Sequence, residues 1–316
     1  MMIVFNLVSA CLVTLASATT TTVIRMDRTY YYSFPIEYIP EEVNARIPGR
    51  ALLNTFDNFA PLLRSWYGTG RESCLGMLVG DNRVRIDFET PMRITESCDV
   101  FLGIGFGSGF AGRFPNHLLT PVSQSEALLV LNPTNPAEYA DGGRILYTPL
   151  DLSLVDTRQY PIRGALRLSE EPGRTETTVQ PLTDSDFFPL GIQMSAIKHT
   201  IPRRLLNQLI ARIEALGIET FEEGRYMCLN NVTPEQFRAL PSFDIIVQSE
   251  DGSRQYQIGQ LEPDDYLFYT ECTNVYEFDL TGGNEFVMNG NLTQKLLIHF
   301  DYEHNRIGFA DPLVEL

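Results

Sequence analysis

Apolar residues along most of the chain occur in short runs or alternate with polar residues, which is typical of β-strands. Residues 84–88 alternate apolar and polar side chains, as the residues of a half-buried strand do. Short runs of the same kind occupy residues 100–106, 127–131, 145–152 and 243–247. Residues 295–302, a polar turn and residues 306–310 then predict a closing β-hairpin.

One segment has the periodicity of a long helix instead. Pro202 suits a first helical turn, and Gly217 suits the position just after the last one. The intervening apolar residues repeat at helical spacing: Leu205, Leu206, Leu209, Ile210, Ile213 and Leu216. A chain of 316 residues with many strands and one long helix predicts an all-β fold of two lobes. We place the lobes at residues 19–165 and 166–316, with the link within 166–183.

The beginning of the chain has the pattern of a secretory signal peptide, covering residues 1–18. It is mostly apolar and uncharged, and it ends in the small residues Ala16-Ser17-Ala18. The alternative is a membrane anchor, but the run is shorter than the roughly 20 apolar residues that a spanning helix needs. No later segment is long and apolar enough to span, so we expect a secreted, extracellular protein.

The charge balance excludes some classes of partner. Lys and Arg number 24 against 40 Asp and Glu, for a net charge of -16. Binding to nucleic acid or to anionic lipid needs clustered basic residues, so we expect neither partner. The acidity fits a soluble surface that resists self-association, and the alternative is recognition of a basic partner.

Four cysteines follow the predicted signal peptide: Cys74, Cys98, Cys228 and Cys272. An even number in an exported chain indicates two disulfides. Three pairings are possible, and proximity in the sequence favours Cys74–Cys98 and Cys228–Cys272. The histidines lie near no cysteine, so we expect no metal site. Nothing indicates a cofactor.

Two sequons would carry glycans in an exported protein. They begin at Asn231 and Asn291, each followed two residues later by threonine. The sequence therefore predicts a glycoprotein.

Four segments together resemble the pepsin-like aspartic proteases. Trp66-Tyr-Gly-Thr-Gly70 is similar to the tip of the family's flap hairpin, and Asp99-Val-Phe-Leu-Gly-Ile-Gly-Phe106 to its Asp-Gly-Ile-Leu-Gly-Leu-Gly-Phe strand. Residues 240–247 and 286–310 are similar to segments of its C-terminal lobe, the first lying within that lobe's disulfide loop. The resemblance implies a bilobal all-β fold with a substrate cleft between the lobes. It places Tyr67 and Gly68 at the flap; a half-buried strand aromatic is the alternative for Tyr67.

The family's chemistry needs one Asp from each lobe, in Asp-Thr-Gly or Asp-Ser-Gly, and neither motif occurs in this sequence. In the first lobe, the matching stretch puts either Asn54 or Asp57 at the catalytic position. Phenylalanine then replaces glycine in both registers. In the second lobe, counting back from Pro202 puts Gln193 there. The alternative is Asp184, which lies about nine residues too far from Pro202 and lacks the glycine.

Two amides cannot share and move a proton as two carboxylates do. We therefore expect no intact catalytic site. The leading hypothesis is a secreted pseudo-protease that binds a polypeptide or another extracellular partner. The alternatives are a divergent active endopeptidase that uses Asp57 and Asp184 at acidic pH, and a structural protein of a cell surface or wall.

Overall fold

We describe the protein from a computed structural model, which covers residues 21–28, 32–40, 47–54, 62–64, 72–79, 84–94, 99–106, 112, 114–157, 162–169, 182–194, 198–223, 226–270 and 275–312. These residues contain 23 strands in three sheets and few helices. The all-β prediction is confirmed.

The largest sheet has 12 strands and contains most of the first half of the chain together with the last two strands. Its strands are β1 (Thr22–Asp27), β2 (Ser33–Pro40), β3 (Ile47–Asn54), β4 (Leu62–Arg64), β5 (Glu72–Val79), β6 (Val84–Ile94), β7 (Asp99–Gly103), β8 (Asn116–Pro121), β9 (Glu126–Leu131), β10 (Leu146–Pro149), β22 (Leu297–Asp301) and β23 (Arg306–Ala310). Their order is β10-β23-β22-β8-β9-β1-β2-β3-β7-β4, and β5 pairs with β2 and β6.

The second half of the chain forms two smaller sheets. The sheet of seven strands contains β11 (Ile162–Leu168), β12 (Phe188–Ile192), β13 (His199–Pro202), β16 (Phe243–Gln248), β17 (Gln255–Leu261), β20 (Leu280–Gly283) and β21 (Phe286–Met288), in the order β17-β16-β11-β12-β21-β13-β20. The sheet of four strands contains β14 (Glu219–Glu223), β15 (Tyr226–Asn230), β18 (Leu267–Thr270) and β19 (Val275–Phe278), in the order β14-β15-β19-β18.

The predicted long helix is confirmed as α1 (Arg203–Ala215), which follows Pro202 directly. Its apolar stripe buries Leu205, Leu209 and Ile213 against the core. Gly217 has a φ of 74°, which a glycine adopts without strain just after a helix ends. The other described α-helices are single turns: α2 (Pro234–Arg238), α3 (Pro263–Tyr266) and α4 (Gly290–Thr293). No helix among the described residues is long and apolar enough to cross a membrane.

The predicted strands are also found, with shifted ends. The alternating run at 84–88 is part of β6, and the runs at 127–131 and 243–247 lie in β9 and β16. The closing hairpin is formed by β22 and β23, and Asn305 takes the left-handed conformation in its turn, with a φ of 52°. The shifts at strand ends have a simple cause, because pairing with a neighbouring strand, not hydropathy, decides where a strand ends.

The proposed lobe boundaries at 165 and 166 stay a prediction. The first residues of the predicted link, 166–168, lie in β11, which pairs with β12 and β16. Residues 170–181 are outside the described residues. β22 pairs with β8 and β23 with β10, so the end of the chain completes the large sheet begun by its first half.

Candidate functional site

Two groups of three strands, one in each half of the chain, have the same arrangement. In the first, β7 lies between β3, which runs parallel to it, and β4, which runs antiparallel. In the second, β21 lies between parallel β12 and antiparallel β13. In both groups, the outer two strands are close in sequence and the middle strand comes later. The chain therefore builds the same local topology twice.

The strand register makes Asn54 and Gln193 equivalent positions in these two groups. Phe101 of β7 pairs with Leu52 on one side and with Leu62 on the other. Val287 of β21 likewise pairs with Gly191 and Thr200. Asn54 and Gln193 each lie two residues beyond the residue paired on the parallel side. Both are where a parallel strand ends and the chain leaves the sheet.

The backbone around Gln193 is held by the strand next to it. The Gln193 N–H donates a hydrogen bond of 2.9 Å to the carbonyl of Met288, which continues the pairing of β12 with β21. Gln193 itself is half-buried, and the next residue, Met194, is buried with 2% exposure. The backbone of Gln193 is thus part of a fixed strand end.

His199 holds the backbone of the residue that follows β21, a role that the sequence analysis missed. Its Nδ1 accepts a 3.1 Å hydrogen bond from the N–H of Asn289, the residue that follows β21. Asn289 is fully buried, and its Oδ1 accepts a hydrogen bond from the Leu292 N–H at the start of α4. Burial lowers the pKa of His199 to about 4. The sequence signal of the role of His199 is a histidine within a strand, here at the start of β13.

Asp184 lies at the other end of β12 from Gln193. It is exposed and belongs to a 3₁₀ turn, Asp184–Asp186, that precedes the strand. At about 3.3 Å per residue, the intervening strand separates the turn from Gln193 by on the order of 15 Å. Asp186 closes this turn, because its carboxylate accepts hydrogen bonds from the N–H and the hydroxyl of Thr183. The structure therefore does not bring Asp184 and Gln193 together.

Other predicted site residues lie outside the described part of the chain: Asp57, Tyr67, Gly68, Cys98 and Cys272. For Asn54 and Cys74 the structure describes the backbone, in β3 and β5. Cys228 is buried in β15. Both disulfides therefore stay predictions.

Both sequon asparagines are accessible. Asn231 is exposed in the turn after β15, with a φ of 52°, and Asn291 is exposed in α4. The threonines of the two sequons differ: the Thr233 hydroxyl accepts a hydrogen bond from the Gln236 N–H, whereas Thr293 is buried. Exposure of the two asparagines fits the predicted glycans.

Comparison with known proteins identifies the fold. No family model matches the sequence, and no curated protein matches it significantly. Among solved structures, 380 chains match. One is an aspartic proteinase from Irpex lacteus: the match covers 93% of this chain and 98% of that chain, with a TM-score of 0.57 and 10% sequence identity. The chain has the fold of the pepsin-like aspartic proteinases.

The pepsin-like fold confirms the architecture that the sequence resemblance implied, an all-β bilobal protein. At 10% identity, the likeness extends to the fold alone. The chemistry must be argued from the side chains. A carboxamide such as that of Asn54 or Gln193 donates through its NH₂ and accepts through its oxygen, but it does not titrate. Such a side chain can hydrogen-bond a water or a peptide group and cannot take a proton from either.

Three side chains near the closing hairpin have the composition of a metal site: Asp301, Glu303 and His304. Asp301 is buried and already has two partners. Its Oδ2 accepts a 2.7 Å hydrogen bond from Arg306 Nε, and its Oδ1 lies 2.8 Å from His304 Nδ1. The guanidinium supplies the positive charge that a cation would supply, so this cluster is an internal ion pair.

Proposed function

We propose that this protein is a secreted, non-catalytic member of the pepsin-like structural class, which binds an extended polypeptide between its lobes. The single observation that carries the proposal is the pair of equivalent strand ends. Both end in an amide residue, Asn54 in one half and Gln193 in the other.

Aspartic protease chemistry requires one carboxylate as base toward a water and a second as acid toward the scissile amide. With amides at both positions, neither side chain can act as the base or the acid in these proton transfers. Amide side chains do suit a peptide ligand, because each can donate to a backbone carbonyl and accept from a backbone N–H. With amides in place of the two carboxylates, we expect peptide hydrolysis to be absent and peptide binding to be retained.

The competing proposal is an active enzyme in which Asp57 and Asp184 form the dyad. The position of Asp184, at the far end of β12 from the strand end that carries Gln193, does not support it. Asp184 is exposed, and a catalytic pair needs both carboxylates within reach of one water.

The first experiment tests hydrolysis. Purified, oxidised protein is incubated with denatured protein substrates across the acidic and neutral range, and circular dichroism at each pH confirms that it is folded. We expect no cleavage by folded protein. Cleavage that is lost in Asp57→Asn or in Asp184→Asn would overturn the proposal and establish an active endopeptidase.

The second experiment tests peptide binding. Reduced and alkylated unfolded polypeptides are titrated into the protein, and binding is measured by fluorescence anisotropy. Gln193→Ala should weaken binding by roughly fivefold or more, since a lost hydrogen bond in a binding site typically costs about 1 kcal/mol. Gln208→Ala on the exposed face of α1 is the matched control and should leave binding unchanged. Absence of binding, with the protein retained in an insoluble surface or wall fraction, would favour the structural alternative.

A further inference from the structure

A surface pocket is lined by residues that do not belong to the strand ends just described. It has a volume of about 390 Å³ and is formed where the start of β10 meets the turn between β16 and β17. None of its lining residues belongs to β3, β7, β12 or β21. Its walls include two arginines and two tyrosines: Arg144, Tyr147, Arg254 and Tyr256. The volume is within the range of about 300–1,000 Å³ that is typical of small-molecule sites.

The side of the pocket at Tyr147 is held rigidly. Arg306 stacks over the Tyr147 ring, with its guanidinium carbon 3.9 Å from the ring centre. The Tyr147 hydroxyl lies 2.8 Å from His299 Nδ1, which fixes the other end of the side chain. Arg306 also donates to both carboxylate oxygens of Glu250, at 3.2 and 3.1 Å. The Tyr147 side chain is therefore fixed, with one face of its ring covered by Arg306.

The two acidic residues at the pocket both have partners, but only Glu250 is paired with a cation. Glu250 is paired with Arg306. Asp251 accepts hydrogen bonds from the hydroxyls of Ser249, at 2.6 Å, and Ser253, at 2.7 Å. These hydrogen bonds stabilise the charged carboxylate and lower the pKa of Asp251 to about 2.

The two arginines at the rim are different. Arg144 and Arg254 are exposed, and neither guanidinium has a hydrogen-bond or ion-pair partner within the part of the chain that the structure describes. Among the described residues, the pocket therefore carries two arginines without a partner against one carboxylate without a cation, Asp251, beside the ion pair of Glu250 with Arg306. The repulsion of an anion by the net charge of -16 is screened beyond about 8 Å at physiological salt, so local charges decide the affinity.

We propose that this pocket binds a small organic anion, in which a carboxylate, sulfate or phosphate group is attached to a body the size of one sugar ring. Arg144 and Arg254 hold the anionic group through the donor geometry that guanidinium offers to planar or tetrahedral oxyanions. Tyr256 and the part of Tyr147 that Arg306 leaves uncovered pack against the ring.

The test is calorimetric titration of the full-length protein with four probes. D-glucuronate and glucose 6-phosphate carry both the anion and the ring, glucose lacks the anion, and inorganic phosphate lacks the ring. We expect saturable binding of the first two and at least tenfold weaker binding of the last two. Arg144→Gln and Arg254→Gln should each lower the affinity for the anionic sugars roughly tenfold or more.

A matched variant controls for the general loss of a positive charge. Arg212→Gln removes an exposed arginine from α1, far along the chain from the pocket, and should leave the affinity unchanged. Four results would each overturn the proposal: glucose binding as tightly as glucuronate, phosphate alone binding as tightly as glucose 6-phosphate, an Arg212→Gln effect equal to that of the pocket variants, or no binding of any probe below about 10 mM.

Discussion

Three of the four histidines of this chain are buried and neutral, and this predicts that the fold is lost in acid. Burial lowers the pKa of His117 to about 3 and those of His199 and His299 to about 4, from an ordinary value of 6.5. His117 lies 2.8 Å from the Phe114 carbonyl and stacks on Phe300. His299 lies between Tyr147 and Asn116. A second proton on any of these rings would place a charge in the interior of the protein.

The sign of the effect follows from linkage. Between pH 6.5 and 4, the unfolded chain binds protons at these histidines while the folded chain does not, so stability falls as the pH falls. At pH 4, each histidine has lowered the free energy of unfolding by about 3 kcal/mol, which gives roughly 9 kcal/mol for the three together. The total free energy of unfolding of a typical domain is about 5–15 kcal/mol. Acidification to pH 4 should therefore unfold much of the protein.

The neighbouring charges only partly oppose this effect. Asp265 favours protonation of His199, but Lys295, which lies 2.6 Å from Asp265, opposes it. Asp301 favours protonation of His299, while Arg306 opposes it. The Asp301 pKa is itself lowered by its hydrogen bonds, so protonation of this carboxylate adds to the loss of stability below the ordinary pKa of Asp.

The measurement is urea unfolding followed by circular dichroism, at several pH values from 7.5 to 4. We expect the free energy of unfolding to fall continuously below pH 6.5. His199→Gln should be less stable than wild type at pH 7 but should lose about 3 kcal/mol less on acidification, because one of the three linked groups is gone. Gln208→His, which adds a histidine on the exposed face of α1, is the control and should leave the pH slope unchanged.

A flat or rising stability between pH 6.5 and 4 would refute the reasoning. So would a His199→Gln variant with an unchanged pH slope, because the three buried rings would then not be the linked groups.

Three further predictions concern packing and covalent chemistry. Gly164→Ala should destabilise the fold by about 1–3 kcal/mol, because the new methyl group collides with Leu190. Gly259→Ala is the control, since its new methyl group meets the nearest side chain at 3.6 Å and should lower the stability little. Chemical denaturation measures the stability of both variants. Asn231→Gln and Asn291→Gln should each remove one glycan from protein secreted by eukaryotic cells, detected by mass spectrometry, and an unchanged mass would contradict the sequon assignment. The two predicted disulfides should appear in non-reduced peptide mapping as one bridge in each half of the chain, each contributing about 3–4 kcal/mol; a bridge between the halves would refute the pairing.

Local patterns predicted most of the local structure. The helical stripe in α1 and the alternation in β6 arise from which face of an element is buried, and that information is present in a few consecutive residues. The resemblance to a known family supplied the bilobal fold. It also supplied Gln193, by counting back from Pro202.

The arrangement of the candidate site depended on pairings between distant parts of the chain. Asn54 is assigned through the parallel pairing of β3 with β7, and Gln193 through that of β12 with β21, which lies almost one hundred residues later. Parallel neighbours share no turn that a local pattern could reveal. The pocket beside β10 has the same character, because its walls come from two separate segments, residues 144–147 and 249–256, each of which has the pattern of an ordinary turn or strand end.

The amides and the buried histidines bear on the proposed function by independent routes. A carboxylate dyad of the pepsin type works by sharing one proton in the acidic range. In that range, the buried histidines would have withdrawn most of the stability of this fold. An Asp pair placed at positions 54 and 193 would therefore titrate in the pH range where we expect the surrounding fold to be least stable. We therefore expect the proposed binding role to be exercised near neutral pH, where the three buried histidines are uncharged in the folded protein.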